Sequence, residues 1–292
     1  MRTVLTPTKG TEKILCALAA FDYLTAAQVT RLCYAKGSLT YVKATLKSLV
    51  AAGLAVPLGG RGTRLSRVYT PTGTGYTVAS VAQGQPQTKR VRRTEEAAKA
   101  ANVYFLQHTI AVTDILIAAT LLSQSVPDIT LQRMYLEREL KRKIYLELSV
   151  LSGNGKTARR TSCLEPDAAV DFVIQDKWQE FFHIEMYRTH LREERFKQKM
   201  HTYAAYAASA IHQELFATPA LAIAVFCASS HLAGTLKRWT EEVLQEGQQP
   251  ELGERFFFTS VNPAAVSPEE LYLAPVWEQS FSTTKTPLLV LE

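Results

Sequence analysis

Residues 166–187 read PDAAVDFVIQDKWQEFFHIEMY, and their pattern indicates a β-hairpin in the second half of the chain. Residues 168–174 carry apolar side chains at every even position, and residues 181–188 alternate in the same way. This period of two predicts two β-strands. Residues 175–179 between the two runs are mostly polar and few enough to form the turn of an antiparallel hairpin.

The predicted hairpin carries two carboxylates, Asp167 before its first strand and Glu185 on the polar face of its second. In metal-dependent nucleases, two carboxylates on adjacent strands hold a divalent cation, which lowers the pKa of a bound water and screens the charge that grows on phosphate. Such sites carry a lysine two residues after the second carboxylate. Here that position is Tyr187, whose phenol is neutral at pH 7 and supplies no cation. The alternative interpretation is that both carboxylates are ordinary polar residues of a half-exposed hairpin.

Charge is distributed unevenly along this chain of 292 residues, which is long enough for two domains. Residues 1–96 hold 14 Lys and Arg against 4 Asp and Glu, a net charge of +10, whereas the remainder holds 19 against 23, a net charge of −4. A basic first part favours contact with a polyanion, because neutralising phosphates releases counterions. The alternative is that the charge serves only solubility.

The four cysteines are too scattered for a zinc ligand set and are expected to be free thiols in a reducing compartment; they are Cys16, Cys33, Cys163 and Cys227. The first residues lack the apolar core of a secretory signal, and the apolar run 221–227 is too short to span a bilayer. We therefore expect a cytoplasmic protein without a membrane partner.

The first eighty residues predict three short helices followed by a two-stranded hairpin. Apolar residues at helical spacing mark helices over residues 12–21 and 26–32, with Thr25 as the cap of the second. A third helix begins at residues 37–38 and ends at Gly53, where a left-handed residue is expected. Residues 54–58 and 66–70 are predicted strands around a basic loop. This order predicts a winged helix-turn-helix.

The first part of the chain resembles the winged-helix domains of bacterial DNA-binding proteins at residues 24–28 (LTAAQ), 46–50 (LKSLV) with Gly53 and Leu54, and 69–73 (YTPTG). This resemblance implies that the third helix enters the major groove of duplex DNA and that the wing contacts the backbone or minor groove. The residues then expected to face DNA are Ser38, Thr40, Tyr41, Lys43, Lys47, Arg61, Arg64 and Arg67. The alternative is a winged helix used as a protein-interaction module.

A polar, basic linker follows, with its positive charges at Lys89, Arg90, Arg92 and Arg93. It would track the DNA backbone or be no more than a solvated connection. We place the winged-helix domain at residues 1–82, the linker at 83–94, an α/β domain with a mixed sheet at 95–262, and a C-terminal tail at 263–292.

The α/β domain is predicted from a mixture of helical and strand patterns. Residues 95–123 indicate one long helix or two in tandem, with His108 as a core residue on an apolar face. Residues 129–140 fit a strand or a helix and carry Glu137 and Glu139. Residues 191–215 predict a helix, 221–229 and 255–260 predict strands, and 231–245 predict an amphipathic helix. One stripe of the 191–215 helix contains Arg192, Phe196, Lys199, Tyr203 and Tyr206.

Most of the chain resembles the bacterial replication-relaxation family. The residues that carry the likeness, besides the winged helix, are Gln107-His108-Thr109, Glu137-Arg138-Glu139-Leu140, Pro166-Asp167, Phe182-His183-Ile184-Glu185, and Lys199 with Tyr203. The resemblance implies a winged helix fused to a restriction-endonuclease-like PD-(D/E)-x-K core, in a protein of plasmids and other mobile elements. Members often carry an acidic residue at the position of Tyr187. The resemblance therefore implies DNA handling in replication or conjugative relaxation more than DNA cutting.

Three functions remain open at this point. The first is a double-stranded DNA-binding protein of a mobile element that needs no cofactor, has a non-catalytic nuclease-like domain, and has a relaxase, a replication protein or a second copy as its partner. The second is an active endonuclease in which Asp167, Glu185 and one of Glu137 or Glu139 bind Mg²⁺ while Lys199 replaces the missing cation. The third is a transcriptional regulator whose second domain only oligomerises.

Overall fold

The computed structural model describes residues 8–59, 66–84, 103–151, 157–189 and 192–291. The chain divides into two compact units, residues 1–117 and 118–292. The division lies inside one long helix, Val103–Ser125, rather than in the predicted linker. Of that linker, only residues 83 and 84 belong to the described residues.

The N-terminal unit contains the three predicted helices and two predicted strands in the expected order, together with elements that are not predicted from the sequence. It contains α1 (Lys9–Phe21), β1 (Leu24–Thr25), α2 (Ala26–Cys33), a 3-10 turn (Lys36–Ser38), α3 (Leu39–Ala51), β2 (Ala55–Leu58), β3 (Val68–Pro71), α4 (Gly73–Ala82) and the first part of α5 (Val103–Ser125). The three strands form an antiparallel sheet in the order β1-β3-β2.

Local sequence signals explain where α2 and α3 begin and end. The Thr25 hydroxyl accepts a hydrogen bond from the Gln28 amide, and the Gln28 side chain accepts one from the Thr25 amide, at 3.2 and 2.9 Å. This reciprocal cap satisfies two backbone donors at the start of α2. After the C-terminal end of α3, Gly53 adopts a φ of +73°, as predicted for a residue that stops a helix.

Helix α4 is not predicted from the sequence. Its cap is Thr72, whose hydroxyl accepts from the Gly75 amide at 3.0 Å and donates to the Gly53 carbonyl at 2.8 Å. Two glycines in its first turn weaken the helical pattern, because glycine is a poor helix former. Packing against α1 compensates, with the Cys16 thiol 3.8 Å from the Ala79 carbonyl.

The first half of α5 is part of the N-terminal unit, although the sequence assigns it to the second domain. Leu106 packs with Val56, Leu58 and Val68 of the β2–β3 hairpin and with Tyr23, which lies just before β1. The Gln28 side-chain amide also donates to the Ile110 carbonyl at 2.9 Å. His108, predicted to be a core residue, is only partly buried.

Helix α5 is also long and apolar enough to cross a membrane by length and composition, with a mean hydropathy of 1.6. Half of that apolar window is nevertheless buried inside the structure. Ile115, Ala118 and Leu122 are completely buried. Burial of this kind fits the core helix of a soluble protein.

The C-terminal unit contains β4 (Ile129–Leu136), α6 (Glu137–Leu140), β5 (Ile144–Leu151), β6 (Thr157–Leu164), β7 (Ala168–Ile174), β8 (Trp178–Tyr187), α7 (Glu193–Ala207), α8 (Ile211–Phe216), β9 (Ala222–Cys227), α9 (Ser230–Glu246), a 3-10 turn (Pro250–Arg255), β10 (Phe256–Thr259), α10 (Pro268–Leu273), β11 (Trp277–Gln279) and β12 (Lys285–Thr286). Its large sheet has seven strands in the order β12-β11-β10-β9-β8-β7-β4. The pairs β8–β9 and β9–β10 are parallel, whereas the other pairs are antiparallel. The predicted α/β class with a mixed sheet is confirmed.

Both faces of the hairpin β7–β8 are covered, and this differs from the expectation of one polar, solvated face. On one side, Phe181 and His183 of β8 pack with residues of α7 and α8, including Tyr206 and Phe216. On the other side, Phe172 lies 5.6 Å from Tyr272 of α10, measured between ring centroids. The alternation of β8 therefore separates two buried environments, so the carboxylate of Glu185 is enclosed.

Several strands and breaks are not predicted from the sequence. Strands β5 and β6 pair with each other in a separate antiparallel hairpin. The helix predicted over residues 191–215 is divided into α7 and α8 by residues 208–210. Residues 263–291, expected to form a tail, instead contribute α10, β11 and β12, and both strands extend the large sheet.

Candidate functional site

A buried carboxylate, Glu185, and an ammonium, Lys199, form the centre of the candidate site. Glu185 lies on β8 and is 1% exposed. The Nζ atom of Lys199, on the neighbouring helix α7, lies 2.5 Å from Oε2 of Glu185 and donates a second hydrogen bond to the Glu165 carbonyl at 3.1 Å. The structure therefore brings Lys199 to the carboxylate, as the helical stripe in the sequence suggests.

Two tyrosines complete the shell around Glu185. Tyr203, one turn after Lys199 on α7, donates its hydroxyl to Oε1 of Glu185 at 2.6 Å. Tyr187 donates to Oε2 at the longer distance of 3.3 Å. Both oxygens of the carboxylate thus accept strong hydrogen bonds, as a buried charge requires.

Burial and the nearby charges shift the pKa values of the site. Burial, assisted by the charge of Asp167, raises the pKa of Glu185 to about 7, although Lys199 and Tyr203 act in the opposite direction. Burial lowers the pKa of Lys199, but the charges of Glu185 and Asp167 outweigh it, so this pKa is raised. Burial also raises the pKa of Tyr187 well above its usual value. Tyr187 is therefore a neutral phenol and supplies no cation.

Asp167 lies beside this pair and is tied to the backbone of β8. Its Oδ2 atom accepts a hydrogen bond from the Met186 amide at 2.7 Å, and its own amide donates to the Ile184 carbonyl at 3.0 Å. These bonds hold Asp167 beside β8, one residue before Ala168, which is the first residue of β7 that pairs with β8. The two predicted carboxylates therefore meet at one end of the hairpin.

The pair lies at the side of a cleft with a cavity volume of about 610 Å³. The cleft is lined by residues of α6, β6 and α7, by the segment just before β7, and by the end of β8. These residues are Glu137, Thr161, Ser162, Cys163, Leu164, Glu165, Asp167, Tyr187, Arg195, Gln198, Lys199 and Thr202. Of the two glutamates offered as a further carboxylate, Glu137 lines this cleft. Glu139 instead accepts a hydrogen bond from the Leu136 amide at 3.1 Å and caps α6.

The donor set does not fit the Mg²⁺ ion that the resemblance to a nuclease core implies. Among the described residues, no group of three or more His, Cys, Asp or Glu side chains is arranged to hold a metal ion. Both oxygens of Glu185 are engaged by Lys199 and Tyr203, and the carboxylate is enclosed. A divalent cation would have to displace the ammonium before it reached Glu185.

A second candidate surface is the exposed face of α3 in the N-terminal unit. Thr40, Lys43 and Lys47 are exposed on this face, and the apolar residues Val42, Leu46 and Leu49 of the same helix are completely buried. Ser38 is partly buried at the start of α3, and Arg67 is exposed just before β3. The predicted third helix therefore presents its polar side to solvent.

Tyr41, also predicted to face DNA, is only half exposed to solvent. Its side chain is 49% exposed, and its ring lies 5.6 Å from that of Tyr34. The Tyr41 hydroxyl fills the space in which Gly10 would carry a Cβ atom. Tyr41 therefore also fastens the start of α3 to α1.

The remaining predicted DNA contacts lie outside the described residues. They are Arg61 and Arg64 of the wing loop, and Lys89, Arg90, Arg92 and Arg93 of the linker.

Two walls of the cleft are not predicted from the sequence. Arg195, Gln198 and Thr202 lie within one turn of Lys199 on α7, so helical spacing from Lys199 could have identified most of this wall. The β6 wall, residues 161–164, gives no comparable signal, because its strand pattern is weak and its partner β5 lies in a region without predicted structure.

Comparison with known proteins identifies one family. The replication-relaxation family model matches residues 15–218, which covers α2, α3, the hairpin β7–β8 and helix α7 with Lys199 and Tyr203. No curated protein and no solved structure matched the chain. Because the matched region is more than half of the 292 residues, the chain belongs to the replication-relaxation family.

Proposed function

We propose that this protein binds duplex DNA of a plasmid or other mobile element in the cytoplasm and acts there in replication, relaxation or the regulation of these processes. In this proposal the N-terminal unit is a winged helix that grips the DNA. The C-terminal unit is a nuclease-like scaffold that does not cut it. The single observation that carries the proposal is the exposed, basic face of α3 on a helix-strand-helix-helix-hairpin framework.

The arrangement of the N-terminal unit supports DNA binding. Winged-helix domains place a helix in the major groove after two preceding helices, with a hairpin beside it. Here α3 follows α1 and α2 and precedes the β2–β3 hairpin. Thr40 near the start of α3 can reach base edges, whereas Lys43 and Lys47 suit phosphate contacts.

The charge of the first part of the chain supports the same proposal. Residues 1–96 carry a net charge of +10, from 14 basic and 4 acidic residues. The proposal extends to Arg67 and to the basic residues of the wing loop and the linker. A relaxase, a replication protein or a second copy of this chain remains the proposed protein partner.

The closed shell around Glu185 supports a non-catalytic C-terminal unit. Its carboxylate is 1% exposed and bonded to Lys199 and Tyr203. A nuclease carboxylate must contact a metal ion that also contacts the substrate phosphate. Glu185 is in a position that stabilises the packing of α7 on β8 instead.

Replacing two lysines of α3 tests the DNA-binding role. In Lys43→Ala with Lys47→Ala, we expect duplex binding at least about tenfold weaker, and a slope of log affinity against log salt reduced by about 2. Fluorescence anisotropy at several salt concentrations measures both quantities. The matched control is Lys177→Ala with Lys285→Ala, which removes two exposed lysines from the C-terminal unit. Equal affinity and equal slope in the two double variants would contradict the assignment of α3.

One observation favours an active endonuclease as a second candidate. The Lys199 ammonium is 2.5 Å from Glu185 and lines the same cleft as Glu137, as a displaced catalytic lysine would. Incubation of the protein with supercoiled plasmid and Mg²⁺ or Mn²⁺ tests this candidate. Nicking that disappears in Glu185→Ala would establish cutting and reject the scaffold, whereas intact plasmid is the result expected from the proposed function.

A further inference from the structure

We propose that the ammonium of Lys199 occupies the place of a divalent cation in the carboxylate site, and that removing this ammonium creates a metal site. The inference rests on the proposed non-catalytic role of the C-terminal unit and deepens it. According to this inference, the carboxylate site of the wild-type protein takes up no metal.

The ligands of the ammonium are those that a hard cation selects. Nζ of Lys199 contacts one carboxylate oxygen, of Glu185, and one backbone carbonyl, of Glu165. Carboxylate and carbonyl oxygens are also the ligands that Mg²⁺ and Mn²⁺ prefer. Because Glu165 lies two residues before Asp167, its carbonyl belongs to the same segment as the first carboxylate of the predicted metal pair.

The ammonium and a divalent ion would compete for the same two oxygen atoms. Nζ of Lys199 already contacts Oε2 of Glu185 and the Glu165 carbonyl, and its positive charge repels a second cation at these oxygens. Glu185 is only 1% exposed, whereas the Lys199 side chain is 28% exposed and therefore lies between the carboxylate and solvent. A metal ion can therefore bind these two oxygens only if the ammonium leaves them.

The side chain of Lys199 also forms part of the cleft wall. Its neighbours there include Glu137 and Asp167. Truncation of Lys199 would open the path from the cleft to Glu185 and leave the carboxylates without their cation. Magnesium-type ions are commonly held by one or two carboxylates with several waters, so Glu185 and Asp167 suffice as side-chain ligands.

Titration of the full-length protein with Mn²⁺ at pH 8 tests this inference. Isothermal titration calorimetry should detect no Glu185-dependent site in the wild type. In Lys199→Ala we expect Mn²⁺ binding at least about tenfold tighter than in the wild type, because two carboxylates lose their internal cation. Adding Glu185→Gln to this variant should remove the new site again.

A matched control separates the position of the ammonium from general charge. Arg195→Ala removes one positive charge from the same helix and the same cleft, but Arg195 is not among the donors that bond Glu185. We expect no gain of Mn²⁺ binding in this variant. An equal gain in Arg195→Ala and Lys199→Ala would overturn the inference, since any lost charge would then suffice.

A second variant and readout guard against a folding defect. Lys199→Gln keeps a hydrogen-bond donor on a side chain of similar length but removes the charge. Thermal unfolding is measured without Mn²⁺ and with about 1 mM Mn²⁺, a concentration suited to weak carboxylate sites. Binding of Mn²⁺ to the folded protein then appears as a higher melting temperature. We expect Mn²⁺ to raise the melting temperature of Lys199→Gln and not that of the wild type. Absence of any Mn²⁺ effect in both Lys199 variants would overturn the inference.

The same experiments distinguish failure of the inference from failure of the proposed function. If the wild-type protein binds Mn²⁺ through Glu185 but does not nick plasmid, only the inference that Lys199 occupies the place of the metal is rejected. A wild-type protein that binds Mn²⁺ and also nicks plasmid would reject the non-catalytic role as well. DNA binding by α3 is measured separately and does not depend on either result.

Discussion

At the scale of single residues, the enclosure of Glu185 explains the chemistry of the site. A carboxylate taken out of water is unfavourable unless strong donors surround it. Lys199, Tyr203 and Tyr187 supply such donors from two elements of the structure. The Glu185 side chain therefore links β8 to α7 through charge-assisted hydrogen bonds.

Tyr203 is the donor whose loss should be felt most among the tyrosines. In Tyr203→Phe, Oε1 of Glu185 loses a bond of 2.6 Å in a fully buried place. We expect the free energy of unfolding to fall by about 1.5–3 kcal/mol, because a buried charged acceptor is left without its donor. Urea unfolding measures the change.

Tyr187→Phe provides the comparison for this prediction. Its hydroxyl is 3.3 Å from Oε2 of Glu185, an oxygen that Lys199 already satisfies. We therefore expect a loss of less than about 1 kcal/mol. A loss in Tyr187→Phe as large as that in Tyr203→Phe would show that the shorter bond is not the stronger one.

The sequence predicts which residues form the site better than it predicts how deeply those residues are buried. The spacing of Asp167 and Glu185, the neutral Tyr187 and the stripe containing Lys199 are all visible in the sequence. The burial of Glu185 is not visible, because it depends on α7 covering a face of β8 that looks polar. The role of the Glu165 carbonyl is hidden as well, since backbone atoms leave no sequence signal.

At the scale of elements, α4 shows how packing overrides a weak local pattern. Gly75 lies in its first turn, and an ideal Cβ atom there would be 2.0 Å from the Leu54 carbonyl oxygen. The glycine is thus required for the close approach of α4 to the chain just before β2. Glycine occurs here despite its low helix propensity, because any residue with a Cβ atom would clash with the Leu54 carbonyl.

Substitution of two glycines tests this explanation. We expect Gly75→Ala to destabilise the protein by about 2 kcal/mol or more, because the contacted atom belongs to the backbone and cannot rotate away. Gly234 lies in α9, where a Cβ atom added to it would meet no other atom within 4 Å, so Gly234→Ala should stabilise by about 0.5–1 kcal/mol. Thermal or urea unfolding measures both, and a stabilising Gly75→Ala would contradict the assigned contact.

Elements with strong local signals are predicted well, and those that depend on distant partners are not. Caps and helical spacing predict α2 and α3, and alternation predicts β7 and β8. Strands β5 and β6 are missed because, among the described residues, they pair with each other and not with a strand of the large sheet. Strand β12 has two residues, too few for any period to appear.

At the scale of the whole molecule, the last part of the chain is structural. Trp277 is completely buried, and its indole donates to the Leu271 carbonyl at 2.8 Å. Strand β11 pairs with β10, so the sheet would end in an exposed edge without it. Lys237 of α9 also bonds to Glu278 at 3.5 Å and to the Ser282 carbonyl.

Truncation tests whether residues 263–291 are a tail or part of the fold. A chain that stops after Asn262 loses the buried side chains of Leu271, Tyr272 and Trp277, each of which contributes about 1.5–3 kcal/mol. The sum is comparable with the whole stability of a domain, about 5–15 kcal/mol, so we expect the C-terminal unit to lose its cooperative unfolding transition. A chain that stops after Leu289 removes, among the described residues, only exposed side chains and should melt like the wild type. A cooperative transition retained in the shorter chain, followed by near-ultraviolet circular dichroism, would mean that the sheet is complete at β10.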